Sequence, residues 1–401
     1  MKAGWKIRQL GDVCKVQPPK SEARQLLKPN EMVSFVPMEA LGIQRKEIGA
    51  TANRTLSEVQ GSYTYFANGD VLLAKITPCF ENGKLGIASG LTNGVGFGSS
   101  EYIVLRPLAC LTANFLYYFL LRDSFRETGA RNMTGTAGQK RVTKTYVESS
   151  GIPTPPLKEQ ERIVAILDEA FEGIATAKAN AQKSLEASGD LFNRRFMSLV
   201  SKRGPRWLDL ALGEICEIER GSSPRPIKNF FTIKDDGVNW IKIGDATDGE
   251  KYIYSTKQKI TPEGAKQSRF VKEGDFLLTN SMSFGKSYVM KTTGYIHDGW
   301  FVLRLRKSIN QDYLYYLLSS KFVRSQFNAL ASGAIVLNIN SDLVKRAMLP
   351  IPPFDEQQRI VEQMNVMLSE TDRLKAVYQT KLNALASLKQ SLLHQAFTGK
   401  L

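Results

Sequence analysis

The segment IPTPPLKEQERIV (Ile152 to Val164) returns 197 residues later as LPIPPFDEQQRIV (Leu349 to Val361). Each copy places a proline cluster before an acidic stretch that begins near Glu159 or Asp355. Proline suits the first turn of a helix but not its interior, and acidic side chains stabilise a helix N-terminus. Each copy therefore predicts the end of a globular module and the start of a long helix.

The repetition extends along most of the chain. Trp5 and Trp207 open similar segments, and GDVLL at 69–73, VLR at 104–106 and LYY at 116–118 recur at 274–278, 302–304 and 314–316. A repeat of this length predicts two copies of one structural unit. We expect an α+β fold with two tandem mixed α/β modules, residues 1–156 and 204–353, followed by long helices at 157–203 and 354–401. An amphipathic helix is expected inside each module, around 113–125 and 311–327.

Apolar residues recur at steps of three or four along both long helices. The predicted seam includes Ile163, Leu167, Ile174 and Leu185 in the first helix and Ile360, Met364, Leu374, Leu385 and Leu392 in the second. This is the spacing of a coiled coil. The first seam is rich in alanine and the second carries larger residues, so we expect the two helices to pack on each other. The alternative is that each helix packs only on its own module.

Two details qualify the helix prediction. Gly173 and Gly189 weaken the expectation of an unbroken first helix, because glycine disfavours helix interiors. The spacing from the proline clusters to Phe196 and Phe397 predicts that the second helix is about four residues longer than the first.

The net charge of +15 is distributed with the modules. Residues 1–156 carry +7 and residues 201–353 carry +8, whereas residues 157–200 and 354–401 carry −1 and +1. Phosphate neutralisation by basic surfaces supplies much of nucleic-acid affinity. Two equally basic modules predict two contacts on one polyanion, DNA or RNA; the simpler alternative is a protein that is merely basic.

Polar, glycine-containing and basic segments are the predicted contact loops. In the first module they contain Lys75, Thr77, Asn82, Lys84, Arg131, Asn132, Thr136, Gln139, Lys140, Arg141 and Lys144. In the second module they contain Ser222, Ser223, Arg225, Lys228, Thr279, Asn280, Ser281, Ser283 and Lys286. Side chains of these types contact phosphates and base edges. For each single residue, an ordinary solvated loop is an equally good interpretation.

None of the sequence motifs that resemble catalytic or metal-binding sites is complete. Gly285-Lys286-Ser287 ends like a phosphate-binding loop, but Asn280 stands where that motif requires glycine. Ile351-Pro352-Pro353-Phe354 has isoleucine where amino-methyltransferases carry an amide or carboxylate. Two histidines, and four cysteines without CxxC spacing, predict neither a histidine-based metal cluster nor a zinc site. We expect no metal, no catalytic residue and no catalysis by the chain alone.

The location is predicted from what the sequence lacks. No apolar run reaches 18 residues, and the N-terminus has no export signal. Four cysteines do not make a disulfide framework. We therefore expect a cytoplasmic protein that does not insert into a membrane.

The two copies of Pro-Pro-(Leu/Phe)-x-Glu-Gln-x-Arg-Ile-Val, together with the terminal LKQSLLHQAFTGKL, resemble the specificity subunit of type I restriction-modification systems. GDVLLAKITPCFENGK, GFGSSEYIVLRP and GSSPRPIKNF are similar to target-recognition domains of that family. The resemblance covers essentially the whole chain.

That resemblance implies a function. Each module would be a target-recognition domain that reads one half of a bipartite site in double-stranded DNA, and the helices would form an antiparallel coiled coil that sets the unread spacer. The helices would dock two methyltransferase subunits, and restriction/translocase subunits would join the complex. S-adenosylmethionine and ATP/Mg are expected on those partner subunits, with no cofactor on this chain.

Two other classes of protein remain open at this point. One is an enzyme, a DNA methyltransferase or nuclease with fused recognition domains, which the failed motifs disfavour. The other is a non-catalytic RNA-binding or scaffolding coiled-coil protein.

Overall fold

The structure is a computed structural model, and it describes residues 4–48, 52–136, 138–280, 285–331 and 340–401, without the side chains of residues 189, 190 and 331. The chain forms two compact units. Unit 1 comprises Met1–Gln182 and Thr380–Leu401, and unit 2 comprises Lys183–Gln379. The boundaries cut through both long helices, so each unit holds one module and one end of each helix.

The described residues of unit 1 form ten strands and six short α-helices ahead of the first long helix. The strands are β1 (Lys6–Gln9), β2 (Cys14–Val16), β3 (Met32–Val36), β4 (Ala52–Thr55), β5 (Thr64–Ala67), β6 (Val71–Ala74), β7 (Leu85–Ile87), β8 (Val95–Gly98), β9 (Tyr102–Pro107) and β10 (Gly151–Thr154). The helices are α1 (Leu10–Val13), α2 (Ser21–Leu26), α3 (Leu56–Val59), α4 (Ala113–Leu121), α5 (Asp123–Arg131) and α6 (Lys144–Ser149). The long helix α7 (Leu157–Ser201) follows and continues into unit 2.

The module of unit 1 contains two four-stranded sheets and one strand pair. One sheet is antiparallel, in the order β2-β9-β6-β7. The other has the order β4-β3-β8-β5, in which β3 and β8 are parallel. Strand β1 pairs with β10, so the first and last strands of the module lie side by side.

Unit 2 repeats this plan, with twelve strands in its described residues. They are β11 (Leu208–Ala211), β12 (Cys216–Arg220), β13 (Phe231–Thr232), β14 (Val238–Ile241), β15 (Tyr252–Ile253), β16 (Gln258–Ile260), β17 (Arg269–Val271), β18 (Phe276–Thr279), β19 (Ser287–Met290), β20 (Gly294–Ile296), β21 (Trp300–Leu305) and β22 (Met348–Ile351). The helices are α8 (Leu212–Ile215), α9 (Pro262–Ala265), α10 (Gln311–Ser319), α11 (Lys321–Ala331), α12 (Ser341–Lys345) and the long α13 (Phe354–Thr398).

The sheets of unit 2 correspond to those of unit 1. Strands β12-β21-β18-β19 match the antiparallel sheet, with β15 added at one edge. In the second sheet, β13-β16-β14-β20-β17, the parallel pair β14–β20 matches β3–β8. Strand β11 pairs with β22 as β1 pairs with β10. The predicted repeat is therefore confirmed at the level of strand order and direction.

A buried aspartate explains why the Gly-Asp pair is repeated. Asp70 is 1% exposed and accepts two hydrogen bonds from Arg106, at 2.7 and 2.8 Å. Asp275 is 4% exposed and pairs with Arg304 at 3.4 Å. Each aspartate also accepts a hydrogen bond from the backbone N–H of the residue three positions before it. A buried carboxylate needs such partners, so the motif stabilises the central sheet.

The proline-rich repeat ends in a buried glutamine that joins helix to module. The side-chain amide of Gln160 donates to the carbonyls of Cys110 and Pro155, and its oxygen accepts the Thr112 N–H, all at 2.9 Å. Gln357 likewise donates to Pro352 and accepts from Asn310, both at 2.8 Å. The Glu-Gln of the repeat thus positions the first turn of each long helix on its module.

The long helices are antiparallel within each unit. In unit 1, Arg162 near the start of α7 donates to the carbonyl of Leu401, at 2.7 Å. In unit 2, Arg195 near the end of α7 donates to Gln363 near the start of α13, at 3.3 Å. The core of unit 1 takes residues from both helices, and so does the core of unit 2. The expectation that the helices pack on each other is met, although each also packs on a module.

Most residues of the predicted seam are buried or partly buried, and one is exposed. Ile163, Leu167, Ile360 and Met364 are buried, and Ile174, Leu185, Leu385 and Leu392 are partly buried. Leu374, however, is 40% exposed. The buried position in that turn is Thr371, at 3% exposure, and a residue three positions later lies about 60° away around the helix. A polar residue therefore occupies the seam where the sequence pattern favoured leucine.

Three further expectations about helices need correction. Helix α7 is continuous through Gly173 and Gly189. Helices α7 and α13 are both 45 residues long, so the second is not longer. The helix predicted around 113–125 is two helices, because the backbone at Arg122 is extended. The helix around 311–327 is likewise broken at Ser320, whose hydroxyl accepts the N–H of Val323 and begins the next helix.

Candidate nucleic-acid interface

Two predicted contact loops of the first module are joined by backbone hydrogen bonds. The N–H of Thr77 donates to the carbonyl of Lys140, and the N–H of Val142 donates to the carbonyl of Lys75, both at 2.9 Å. The structure therefore brings the segment 75–84 together with residues 131–136 and 138–144. These segments form one surface, which we call loop cluster 1.

Loop cluster 1 is held by polar side chains that the sequence marked as contact candidates. Arg141 donates to both carboxylate oxygens of Glu101, at 2.8 to 3.1 Å. Those hydrogen bonds hold the pKa of Glu101 below its usual range. Lys75 donates to the carbonyl of Ser100 at 2.9 Å, and Asn132 donates to that of Thr128 at 2.8 Å. These bonds fix the loop rather than reach outward.

The remaining candidates of loop cluster 1 are accessible. Asn82, Arg131, Thr136, Gln139, Lys140 and Lys144 are exposed, and Thr77 and Lys84 are partly buried. Arg131 and Lys144 each lie near a glutamate one helical turn away, at 4.0 and 3.3 Å. Exposed pairs of this kind are weak, so both cations remain available to a ligand.

In the second module, the predicted loops converge on Asp298. The hydroxyl of Ser223 donates to its Oδ1 at 2.7 Å, and a guanidinium nitrogen of Arg225 lies 3.4 Å from its Oδ2. The backbone carbonyl of Asp298 accepts from Asn280 at 2.6 Å and from Arg220 at 3.3 Å. Partial burial pushes the pKa of Asp298 upward, but the bond from Ser223 and the neighbouring charges outweigh it, so the pKa is lowered. We call this group, with Ser222 and Lys228, loop cluster 2.

The backbone of loop cluster 2 is fixed on both sides. The hydroxyl of Ser222 donates to the carbonyl of Gln267, and the hydroxyl of Ser268 donates back to the carbonyl of Ser222, both at 2.8 Å. The preceding Gly221 donates its N–H to the carbonyl of Trp300, also at 2.8 Å. Arg225 and Lys228 are exposed, so the cluster presents two cations from a supported loop.

Some predicted residues are not accessible contacts of loop cluster 2. Thr279 and Asn280 are 1% and 2% exposed, which assigns their side chains to the framework and corrects their prediction as surface contacts. Lys286 pairs with Asp248 at 2.6 Å, beside Tyr288 and Tyr315 in a cleft distinct from loop cluster 2. Ser281 and Ser283 lie outside the described residues.

Sequence reasoning missed the carboxylates that organise both clusters. Glu101 and Asp298 supply the acceptors for Arg141 and Arg225. A signal was present, because both acidic residues lie in the loop just before the repeated Val-Leu-Arg of β9 and β21. Both positions are acidic, whereas the predicted contacts are basic or uncharged polar residues.

Metal and membrane sites were also considered. Across the described ranges, no group of three or more His, Cys, Asp and Glu side chains is arranged to hold a metal ion. Among the helices in the described part of the chain, none combines the length and apolar character needed to cross a membrane.

The framework is duplicated, and each copy carries a different basic loop cluster. Together with the antiparallel long helices, this arrangement defines a tandem recognition protein. A family model described as "Type I restriction modification DNA specificity domain" matches residues 2–187 and 206–384. The chain belongs to this family.

Individual relatives are similar over different lengths. The EcoAI specificity subunit of Escherichia coli is 38% identical over 189 residues, which are 47% of this chain and 31% of that protein. The MjaVIII specificity subunit of Methanocaldococcus jannaschii is 25% identical over 311 residues, 72% of this chain and 70% of that protein. The match with EcoAI, like that with the EcoEI subunit, thus spans about a third of the relative's length.

Solved structures have the same fold. A chain from a study of complex assembly and conformational transition of the type I R-M system aligns over 100% of this chain and 99% of its own length, with a TM-score of 0.84 and 22% identity. The HsdS subunit from Thermoanaerobacter tengcongensis aligns over 100% and 98%, with a TM-score of 0.62 and 21% identity. The predicted two-module fold with long helices is confirmed.

Proposed function

We propose that this chain is a sequence-specific DNA-binding specificity subunit of a type I restriction-modification complex. Each module binds one half of a bipartite site in double-stranded DNA, through loop cluster 1 in the first module and loop cluster 2 in the second. The observation that carries this proposal is the repeated framework on which the two modules carry dissimilar basic loops. Reading two different half-sites requires this combination of constant support and variable contact residues.

The long helices support a second part of the proposal, that the unread spacer has a fixed length. Each helix is a single element of 45 residues, roughly 68 Å long at 1.5 Å per residue. Two half-site readers on a stiff connection gain affinity through effective concentration, and they lose it when the distance between half-sites changes.

The third part concerns partners and chemistry. We propose that the helices dock two methyltransferase subunits, that restriction/translocase subunits join them, and that the complex works in the cytoplasm. S-adenosylmethionine and ATP/Mg belong to those partners in this proposal. The chain itself would catalyse nothing, and methyl transfer by the purified chain alone would contradict that.

The test of DNA recognition is a selection from a randomised duplex pool, with the full chain and any methyltransferase subunit that co-purifies with it. We expect two short fixed motifs around a constant unread gap. Recovery of no motif, with binding that only weakens as salt rises, would leave a basic scaffold. An RNA competitor that displaces the duplex would then favour the RNA-binding alternative.

The spacer proposal has its own test. Four residues inserted in each helix would lengthen both by about 6 Å, close to the rise of two base pairs. We expect the selected gap to lengthen while both half-site motifs stay the same. An unchanged gap would exclude the helices as the element that sets it.

A further inference from the structure

Arg225 differs from the other exposed cations of loop cluster 2 in having a fixed carboxylate partner. One guanidinium nitrogen lies 3.4 Å from Oδ2 of Asp298, whose Oδ1 accepts the Ser223 hydroxyl at 2.7 Å. The loop around it is tied to Gln267 and Trp300 by the bonds described above. Both the loop and the carboxylate are therefore supported before any ligand arrives.

The guanidinium is nevertheless open to a ligand. The Arg225 side chain is 80% exposed, and Asp298 occupies one of its five N–H donors. A planar guanidinium with free donors binds two acceptors at once. Holding one edge against a carboxylate lowers the conformational entropy lost when the other edge binds.

The carboxylate also indicates which acceptors fit. A phosphate approaching Arg225 would come close to the negative charge of Asp298, which repels it. The edge of a base carries no net charge and meets no such penalty. Lys228 provides the contrast, since it is exposed and, within the described part of the chain, has no carboxylate within 4.0 Å of its ammonium. A lysine without a carboxylate partner is well placed to bind a phosphate, whereas an arginine held by a carboxylate is better placed to bind the edge of a base.

We propose that Arg225 reads a guanine in the half-site bound by the second module, with Asp298 as the positioning residue that orients its guanidinium. Guanine offers O6 and N7 as paired acceptors in the major groove, and bidentate arginine is the most common specific contact to them. This inference rests on the proposed function and assigns one base pair of its site to one side chain.

The experiment compares selections from a randomised duplex pool by the full chain and by Arg225→Ala and Lys228→Ala variants. With Arg225→Ala we expect one guanine position of one half-site to become degenerate, while the other half-site and the gap are unchanged. Discrimination at that position should fall by about 5- to 150-fold. Lys228→Ala should instead weaken all sequences alike and lower the salt slope of binding by about one.

Two variants separate positioning from loss of structure. Asp298→Ala should degrade discrimination at the same base pair, and Asp298→Asn, which keeps an oxygen acceptor, should restore part of it. Arg225→Lys keeps the charge without the planar fork, so it should behave like Arg225→Ala. Thermal unfolding of each variant, measured by circular dichroism, accompanies the selections.

The inference is overturned if Arg225→Ala keeps every guanine preference of the unaltered chain. It is also overturned if that variant weakens all sequences alike and lowers the salt slope, because Arg225 would then be a phosphate contact. In both cases the bipartite motif of the unaltered chain would leave the proposed function standing. If the unaltered chain itself selects no motif, the proposed function fails and this inference fails with it.

Discussion

Both modules hold a repeated arginine with a buried aspartate and a glutamate, but the glutamate comes from a different element in each module. In the first, Arg106 is held by the buried Asp70 and by Glu22 of helix α2. In the second, Arg304 is held by Asp275 and by Glu219 of strand β12. The buried aspartate and the arginine are repeated, whereas the third residue comes from a different element. The buried part of the framework is thus constrained in both copies, and its exposed edge is free to vary.

The same contrast governs the contact loops. Arg141 is fixed by three hydrogen bonds to Glu101 and stabilises loop cluster 1, while Arg225 makes one longer contact to Asp298 and stays open to solvent. An arginine beside a carboxylate therefore has opposite roles in the two modules. The geometry of the pair, rather than its composition, decides whether the arginine supports the loop or contacts a ligand.

The largest effect is expected from removing the repeated buried carboxylates. Asp70→Ala leaves Arg106 without its main partner, and loss of one member of a buried pair costs about 3 kcal/mol in free energy of unfolding. Asp275→Ala should cost a similar amount in the second unit. Guanidinium unfolding of the full chain measures both losses of stability. The matched control is Glu127→Ala, which removes an exposed ion pair and should lower the free energy of unfolding by less than about 0.5 kcal/mol. A large effect from only one aspartate would mean that the two frameworks are not equivalent.

A smaller effect is expected at the helix starts. Gln160→Ala and Gln357→Ala each leave buried backbone groups unpaired, at a cost of about 2 kcal/mol. Hydrogen exchange adds a local readout, since the N–H of Thr112 or of Asn310 loses its acceptor and should exchange faster. Gln363→Ala, in an exposed 3.3 Å bond, is the control. Unchanged exchange at both amides would refute the role given to these glutamines.

The smallest predicted effect is a pH dependence of stability that arises in unit 2. Burial lowers the pKa of His297 in unit 2, against the influence of Asp298. As pH falls below about 6.5, the unfolded chain takes up this proton first, so stability decreases by up to about 1.4 kcal/mol per pH unit until the folded pKa is reached. Unfolding at pH 7.5 and 5.5 should reveal this loss in the unaltered chain and a smaller one in His297→Gln. His394→Gln, at an exposed position of unit 1, should retain the full dependence.

The sequence predicted those parts of the fold that are repeated or periodic. The duplication at Ile152 and Leu349 predicted where the long helices begin, and the three- and four-residue steps predicted the helices themselves. Leu374 was wrong because periodicity alone does not separate neighbouring helix faces, and Thr371 fills the seam despite its polarity. Asn280 was wrong because a polar residue after a strand is as suitable for a buried hydrogen bond as for a surface contact. Asp298 was missed because a carboxylate that orients a cation has no sequence period.

The pairing of the first and last strands of each module has a consequence for how such chains diversify. Lys6–Gln9 lies against Gly151–Thr154, and Leu208–Ala211 lies against Met348–Ile351, so the polypeptide enters and leaves each module at one place. The residues between those two strands therefore form one segment, or cassette, whose two ends lie next to each other. Exchanging it for another cassette with the same two strands would leave the helix junction at Gln160 or Gln357 intact. Such an exchange would change the loop cluster of one module without altering the sequence of the long helices.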